Sequence, residues 1–512
     1  MKTVDGRELP DYIEGWGPVT AFQGVKWNQT LQGATRRLVS FSPKQQKLVE
    51  SAEALLQKLQ AKDGMTFSFH HHFRNGDYVV NTIMAAAQKM GLKNLKIALS
   101  SIFPCHEPLV ALIKDGTITA IDTNYMNGPV AEAVSRGYLS TPVIMRSHGG
   151  RPRAIEEGSL KIDIAFIAAP LVDRFGNISG KDGLAACGSL GYAMVDAEYA
   201  DTVVAVTDHL VETPLADFSI PMTQVDYILV LQEIGNPSGI VSGTTKITRD
   251  PVGLRIAALA ADAIEAAGVL QPGFSFQTGA GGASLAVAHY LRQKMERLSL
   301  RGSFIMGGIT GYLVDLLDAG LFERIYDVQC FDQRAIDSLK VNPHHREISA
   351  SYYANPHTKG CVVNQLDCVV LGATEIDVHF NVNVTTGSNG MIMGGSGGHS
   401  DAAAGAGLTV IVANLLRSRL PIVRDQIMTV TTPGETVDLL VTEQGIAVNP
   451  RRPEIKAALL EKGLPVYSIE ELKDLAEEIA GTPKEIATSD EVVALVEYRD
   501  GTIIDVVRKV IG

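Results

Sequence analysis

Tryptophan occurs twice and cysteine five times in 512 residues. The cysteines, Cys105, Cys187, Cys330, Cys361 and Cys368, form no CxxC pair. A disulfide framework does not suit so large a chain, and a reducing, cytoplasmic compartment fits better. Positive charge is in short supply: 45 Lys and Arg against 57 Asp and Glu give a net charge of −12, so the overall field offers nothing to a nucleic acid. An anionic small substrate stays open, because local arginines and helix N-termini bind anions whatever the global sign. Long apolar runs are missing; the longest are strand-length, which argues against a membrane span. The opening MKTVDGRELPDYIEGWGPV has no apolar core of the kind a secretory signal needs. What is abundant is Ala, Val, Ile, Leu and Gly, a mix suited to parallel strands buried under helices.

The length calls for at least two domains. Residues 1–60 read as a polar lead-in and one helix over Phe41 to Gln60, with Ser42 before Pro43 as its cap and apolar residues at Leu48, Ala52, Leu55, Leu56 and Leu59. From Met65 short apolar runs alternate with amphipathic segments. Strands are expected at 65–71, 95–102, 118–124, 142–147, 162–169, 202–207 and 226–232, with helices such as 77–91 and 128–139 between them. The turn-rich Gly235-Asn236-Pro237-Ser238-Gly239 interrupts this rhythm. It resumes after a helix at 250–267, with strands at 274–278, 303–309, 325–331, 366–372, 408–413, 426–431 and 437–442 and helices at 282–297, 311–319, 453–462 and 468–480. Arg499-Asp500-Gly501 between apolar runs predicts a final hairpin. The reading is α/β, two tandem open-sheet domains with helices on both faces, over 61–240 and 241–512. Val172-Asp173-Arg174-Phe175-Gly176-Asn177-Ile178 and Ile376-Asp377-Val378-His379-Phe380-Asn381-Val382-Asn383 echo each other as strand, tight turn and returning strand, a hint of duplication against the alternative of two unrelated hairpins.

Three stretches carry chemistry. In Met393-Gly394-Gly395-Ser396-Gly397-Gly398-His399-Ser400-Asp401, four glycines in five residues let backbone approach a ligand and N–H groups converge on an oxyanion or phosphate. Alone, such a loop is equally an ordinary turn, and it does not fit GxxxxGK[ST]. Gln277-Thr278-Gly279-Ala280-Gly281-Gly282 follows a strand and opens a helix, which suits a diphosphate at a helix N-terminus. No acidic residue closes a second strand at the offset a dinucleotide fingerprint needs, so NAD is unsupported. Third, the strand from Val437 ends in Thr442-Glu443-Gln444-Gly445, where Glu443 is either an acid–base group or a solvent-facing terminus. His70-His71-His72 lies at a strand end, so at most two imidazoles share a face. That is no recognisable zinc pattern, and no metal is expected. His72 and Arg74 are candidates for a substrate carboxylate, with a surface ion pair as the plain alternative for Arg74. His344-His345 and Cys361/Cys368 read as structural, and Arg292, Lys294 and Arg297 complement a helix C-terminus.

In this order and spacing the Gln-x-Gly-x-Gly loop, the Asn-x-Asn turn with its GGxGG loop, and Val-Thr-Glu-x-Gly-x-Ala together resemble the CoA-transferase superfamily over about residues 60–450. FSFHHHFRNGDYVVN, LVDRFGNISG and FNVNVTTGSNGMIMGGSGGHSDAAAGAG resemble the citrate lyase alpha-chain family within it, near full length. The resemblance implies tandem CoA-transferase-like halves with the site between them. It implies a cytoplasmic complex with a beta lyase chain and a gamma chain, the acyl carrier protein, whose CoA-like prosthetic group is a substrate; no tightly bound cofactor is expected. The implied reaction replaces acetyl on the carrier by citrate, giving citryl-carrier and acetate, within a likeness that also implies an oligomer. Relatives in the superfamily place a nucleophilic glutamate after the strand that here runs from Ser303 to Ile309; the aligned position is Gly311, which forms no glutamyl thioester. The expectation is direct exchange, with Gly397 and Gly398 supplying oxyanion donors and Glu443 acting beside them. Gln277, Gly279 and Gly281 would grip the phosphate-bearing arm, Gly394, Gly395 and Asn383 its thioester end, and Arg417 the CoA phosphates. The 394–398 loop is expected to lie exposed at a cleft, so that a Cβ there stops exchange without unfolding the protein. The rival readings are a CoA-transferase or acyl-CoA hydrolase acting on free CoA through a covalent glutamate, and a non-catalytic scaffold subunit. Citramalate is not separated from citrate by these residues.

Overall fold

A computed structural model describes residues 1–25, 46–241, 246–484 and 486–511. The Ser42-Pro43 cap falls outside them. Within them, Leu48–Val49 is a strand, and the helix is the shorter Ala52–Lys58, capped by Ser51, whose Oγ accepts from Ala54 N at 3.1 Å. The helical spacing of Leu48 is overridden by pairing with Tyr227–Val230.

Two open sheets dominate. Across the first, the strands lie in the order Ile503–Val510, Thr488–Glu497, Val143–Met145, Ile118–Thr123, Leu95–Leu99, Thr66–Phe69, Ile164–Ala168, Thr202–Thr207, Tyr227–Val230 and Leu48–Val49. The second runs His345–Glu347, Phe322–Cys330, Gly302–Ile309, Phe276–Thr278, Cys368–Gly372, Leu408–Val412, Leu439–Val441, Ile446–Val448 and Val466–Tyr467. Neighbours are parallel except within the C-terminal hairpin and between Leu439–Val441 and Ile446–Val448. Central strands such as Thr66–Phe69, Ile164–Ala168 and Leu408–Val412 are buried along their whole length, as parallel strands under helices must be. In both sheets the order reverses beside the first strand of the unit: between Thr66–Phe69 and Ile164–Ala168, and between Phe276–Thr278 and Cys368–Gly372.

Seven strands of each sheet correspond in order and direction, which makes the molecule an internal duplication. The two echoing hairpins are built alike. Asp173 Oδ1 accepts from the N–H groups of Phe175, Gly176 and Asn177, and Asn177 Nδ2 donates to Asp173 Oδ2. Asp377 Oδ1 accepts from His379 and Asn381, and Asn381 Nδ2 donates to Asp377 Oδ2. The turn needs a left-handed residue, Gly176 in one copy and Phe380, φ 67°, in the other.

The C-terminal hairpin forms where Arg499-Asp500-Gly501 predicts it, yet it pairs with Val143–Met145 of the first sheet. The second unit therefore does not run unbroken from 241 to 512; the chain returns to the first. Residues 1–25 follow it there: Phe22 N donates to Ile503 O, Ile503 N to Thr20 O, and Arg7 pairs with Asp505 at 2.5 Å. The expected strand at 426–431 is irregular, because its backbone is satisfied otherwise. Arg7 donates to Ile427 O and Met428 O, Asp505 accepts from Val430 N, and Thr431 and Thr432 donate to Val382 O. One apolar core spans residues of both units.

Candidate active site

Ligands in open α/β sheets bind beyond the strand ends where the order reverses. Here the two reversal points meet. Gln329 Nε2 of the second unit donates to His71 O of the first at 2.9 Å, and the Arg74 guanidinium lies between the rings of Phe103 and Phe331, about 5 Å from each centroid. Arg74 holds a left-handed backbone, φ 51°, a strained conformation for a side chain of that size and a feature of binding sites.

Of the three successive histidines, His70 and His72 stack on one face, 5.8 Å apart, and His71 takes the other. His71 Nδ1 is 2.6 Å from Ser100 Oγ; its ring lies 4.6 Å from Tyr192 and 5.5 Å from His148, and Tyr192 and His148 are 4.4 Å apart. Burial, reinforced by Arg151 and Arg74, pushes His148 down to about 3, and burial with His148 and Arg74 nearby holds His71 well below its usual range. Both imidazoles are neutral at physiological pH, and Arg74 brings positive charge to the cluster. His72, by contrast, turns Nε2 to Ala168 O at 3.2 Å and is pushed down to about 3 by burial and His70. The histidine in the aromatic cluster is thus His71.

The glycine loop is an interface rather than an open lip. Met126 N donates to Gly394 O, Gly397 N to Asn124 O, and His148 N to Gly397 O at 2.7 Å. Asp401, at the start of the following helix, accepts from Ser147 Oγ and Gly149 N, each at 2.8 Å. A Cβ at Gly395 would stand 2.4 Å from Asn124 O, one at Gly394 2.1 Å from Val384 O, and one at Gly398 2.4 Å from Tyr353 Oη. The expectation of an exposed loop that accepts a Cβ is therefore corrected at Gly394, Gly395 and Gly398; at Gly397 the nearest atom to a Cβ is His148 Nε2 at 3.4 Å. Among the described residues the N–H groups of Gly394 and Gly397 are spent on Thr385 O and Asn124 O, while those of Gly395, Ser396 and Gly398 have no protein acceptor.

Several buried polar atoms lack a partner: His148 Nδ1 beside this loop, and Gln277 Oε1, Thr278 Oγ1 and Thr310 Oγ1 at the ends of neighbouring strands of the second sheet. Each costs about 1–3 kcal/mol if nothing binds it, and their convergence at strand ends marks a ligand site. Gln277 points its Nε2 to Tyr353 Oη at 2.9 Å, so this buried side chain is aimed across the site and not at a phosphate. Gly279 N is tied to Val370 O, and Gly281 stands just before the helix Gly282–Leu298 with room beside it.

Three expected site residues are elsewhere or occupied. Asn383 is fully used: Nδ2 donates to Glu375 and Thr386, and Oδ1 accepts from Thr385 N and Thr386 N. It shapes the turn that launches the glycine loop. Glu443 lies two strands from the reversal point and accepts from Leu415 N at 2.9 Å. Arg417 is exposed on the short hairpin with Leu420–Pro421. At Gly311 a Cβ would meet Arg334 Cβ at 2.9 Å and Cγ at 2.8 Å, and Gly311 N donates to Asp332 Oδ2; Arg334 leaves no room for a side chain at 311. Sequence reading missed His71, His148, Tyr192 and Tyr353. A signal existed for one of them, since Ser147-His148-Gly149-Gly150 begins two residues past the end of the strand Val143–Met145. Among the described residues no group of His, Cys, Asp and Glu is arranged to hold a metal ion, and no helix is long and apolar enough to cross a membrane.

The family described as citrate lyase, alpha subunit, matches residues 45–510. The citrate lyase alpha chain of Haemophilus influenzae is 48% identical over 472 residues, covering 92% of this chain and 94% of that one. That of Escherichia coli is 49% identical over 464 residues, 91% of each. A crystal structure of the citrate lyase alpha subunit of Streptococcus mutans in complex with citrate superposes with a TM-score of 0.95 at 47% identity, covering 99% of both chains. The malonate decarboxylase alpha subunit of Acinetobacter baumannii shares the fold, with a TM-score of 0.64 at 15% identity, covering 86% of this chain and 94% of that one. On a match of this length and identity, the chain belongs to the citrate lyase alpha-subunit family.

Proposed function

We propose that this chain, the acyl-transferase component of a citrate lyase complex, exchanges acetyl for citrate on the carrier thioester directly, in the cleft between the two reversal points. The partners in this reading are a beta chain that cleaves the citryl thioester and a gamma chain, the acyl carrier protein, whose CoA-like arm enters the cleft as substrate. The reading is supported most by Gly311: where relatives in the superfamily carry the nucleophile, a glycine stands and Arg334 occupies the space. The complex of the Streptococcus mutans relative with citrate supports a tricarboxylate as the substrate class here.

In this reading Arg74 meets one citrate carboxylate, with His71 and His148 as neutral hydrogen-bonding partners rather than charges. A second carboxylate adds to the acetyl thioester carbonyl. The oxyanion that forms is met by N–H groups of the 394–398 loop, of which Gly395, Ser396 and Gly398 are free to donate. Five unpaired cysteines support a reducing, cytoplasmic setting. The test is kinetic and chemical. Initial rates with varied citrate and acetyl-carrier should give intersecting lines, since both substrates must be bound together. Hydroxylamine or borohydride should leave the chain unmodified after incubation with acetyl-carrier alone. Parallel lines, or a trapped glutamyl adduct, would favour the covalent rival.

A further inference from the structure

Tyr353 lies on the short helix Ala350–Ala354, buried within an apolar core cluster of the second unit. Three observations converge on its hydroxyl. Its oxygen accepts from Gln277 Nε2 at 2.9 Å. Among the described residues it donates to no acceptor, so its proton is unspent. It also rests against the backbone at Gly398, where a Cβ would come within 2.4 Å of it, and Gly398 N–H likewise has no protein acceptor. A buried phenol with an unused proton is costly unless something receives it. The glycine at 398 is what allows the hydroxyl to stand beside that N–H.

We infer that Tyr353 is a catalytic residue, the second donor of the oxyanion site beside Gly398 N–H, and that Gln277 is its positioning residue. The inference rests on the exchange reading above. In the first step a citrate carboxylate oxygen forms a C–O bond to the acetyl carbonyl carbon, and the carbonyl π pair moves to oxygen. Collapse breaks C–S, and the thiolate leaves with the bonding pair, giving a citryl–acetyl anhydride. In the second step the thiolate adds to the citryl carbonyl, and collapse expels acetate. No proton is gained or lost overall, so no general base is needed, but each step passes through an oxyanion. Tyr353 O–H and Gly398 N–H meet it in turn. The amide hydrogen bond from Gln277 withdraws charge from the phenol oxygen and makes its O–H a better donor, in addition to holding it.

The experiment measures citrate-dependent acetate release by the intact chain with acetylated acyl carrier. Tyr353→Phe deletes one oxygen from a packed ring. It should lower kcat by about 10²-fold, in the range found for loss of one oxyanion donor, with KM for citrate within about twofold, the pattern of an interaction made only in the transition state. Gln277→Leu should lower kcat less. Fluorotyrosines placed at 353 test the role without disturbing packing: with the more acidic phenols, kept protonated at the assay pH, kcat should rise. Unchanged kcat in Tyr353→Phe, a loss confined to KM, or a flat fluorotyrosine series would overturn the inference. A covalent acyl-enzyme in the wild-type chain would instead overturn direct exchange and leave the Tyr353 result readable, because a tetrahedral oxyanion forms on that route as well.

Discussion

Among single residues, the glycines of the 394–398 loop separate two effects that a glycine-rich sequence merges. Gly395 has an ordinary backbone angle but no room: its Cβ would sit 2.4 Å from Asn124 O and 2.9 Å from Tyr125 Cα, both backbone atoms that cannot swing aside. Gly397 has room, with His148 Nε2 at 3.4 Å, but a left-handed φ of 51°, which costs an ordinary residue roughly 1–2 kcal/mol. Gly395→Ala, which drives a Cβ into fixed backbone atoms, should cost about 3 kcal/mol, the upper end of overpacking, and so lower thermal stability more than Gly397→Ala; scanning calorimetry ranks the two. Asp401 gives a pH signature. Burial pushes its carboxyl up to about 6, although Arg499, Ser147 and Gly149 favour the charge. With the folded value raised above the unfolded value of about 3.9, the native state takes up a proton between about pH 4 and 6 that the unfolded chain does not. Its contribution to stability is thus largest below pH 4 and falls as pH rises through 6. Asp401→Asn should remove that slope, worth at most about 3 kcal/mol, and urea titrations at pH 4.5 and 7 measure it. The presence of a glycine loop was legible from composition. Its burial was not, because Asn124 and Tyr125 press on it from a strand end far away in sequence. Likewise a run of histidines announces a site, but which ring enters it depends on a single step of strand alternation, and only the fold fixes that His71 does so.

Among the elements, the parallel strands were the most legible, since each βαβ unit carries its own apolar run, helix period and turn residues within one local stretch. The C-terminal hairpin shows where that legibility ends. Its turn is encoded locally by Arg499-Asp500-Gly501, but its partner is chosen by a buried charge cluster. Glu497 accepts from Arg146 and from Arg153, the latter at 2.6 Å, and Arg146 also pairs with Asp122 at 2.9 Å. All four side chains are buried. Removing one partner of such a set strands the others, at about 3–5 kcal/mol. Glu497→Ala should cost that much in chemical denaturation, and Glu497→Gln less, because an amide still accepts one hydrogen bond. If Glu497→Ala is nearly neutral, the hairpin is held by apolar packing instead. The irregular run at 426–431 teaches the same lesson in reverse. Its apolar residues predict a strand, but Arg7 and Asp505, remote in sequence, satisfy its backbone.

For the molecule as a whole, duplication explains why the proposed site lies between units: the two copies of one fold meet at their reversal points, and the candidate site draws residues from each. The duplication was faintly visible as two short echoing hairpins and became clear through the shared strand order. The return of the chain to the first sheet breaks the independence of the halves. A fragment of residues 1–240 should be poorly soluble, with Val143–Met145 left as an open edge and Arg146 without Glu497. Joining residues 486–511 to it through a flexible linker should restore soluble protein and slow amide exchange in Val143–Met145. Equal solubility of the two fragments would mean that the first sheet closes without the hairpin.

This long-range closure also sets an order of events during synthesis. A ribosome delivers the first unit hundreds of residues before the strands that finish its edge, so the nascent chain must wait with the outer edge of Val143–Met145 open while the whole second unit is translated. Throughout that interval the exposed edge is open to pairing with other nascent chains on the same message. Slowing translation late in the second unit would lengthen the exposure, whereas a circular permutant that begins with the hairpin would deliver the missing strands first.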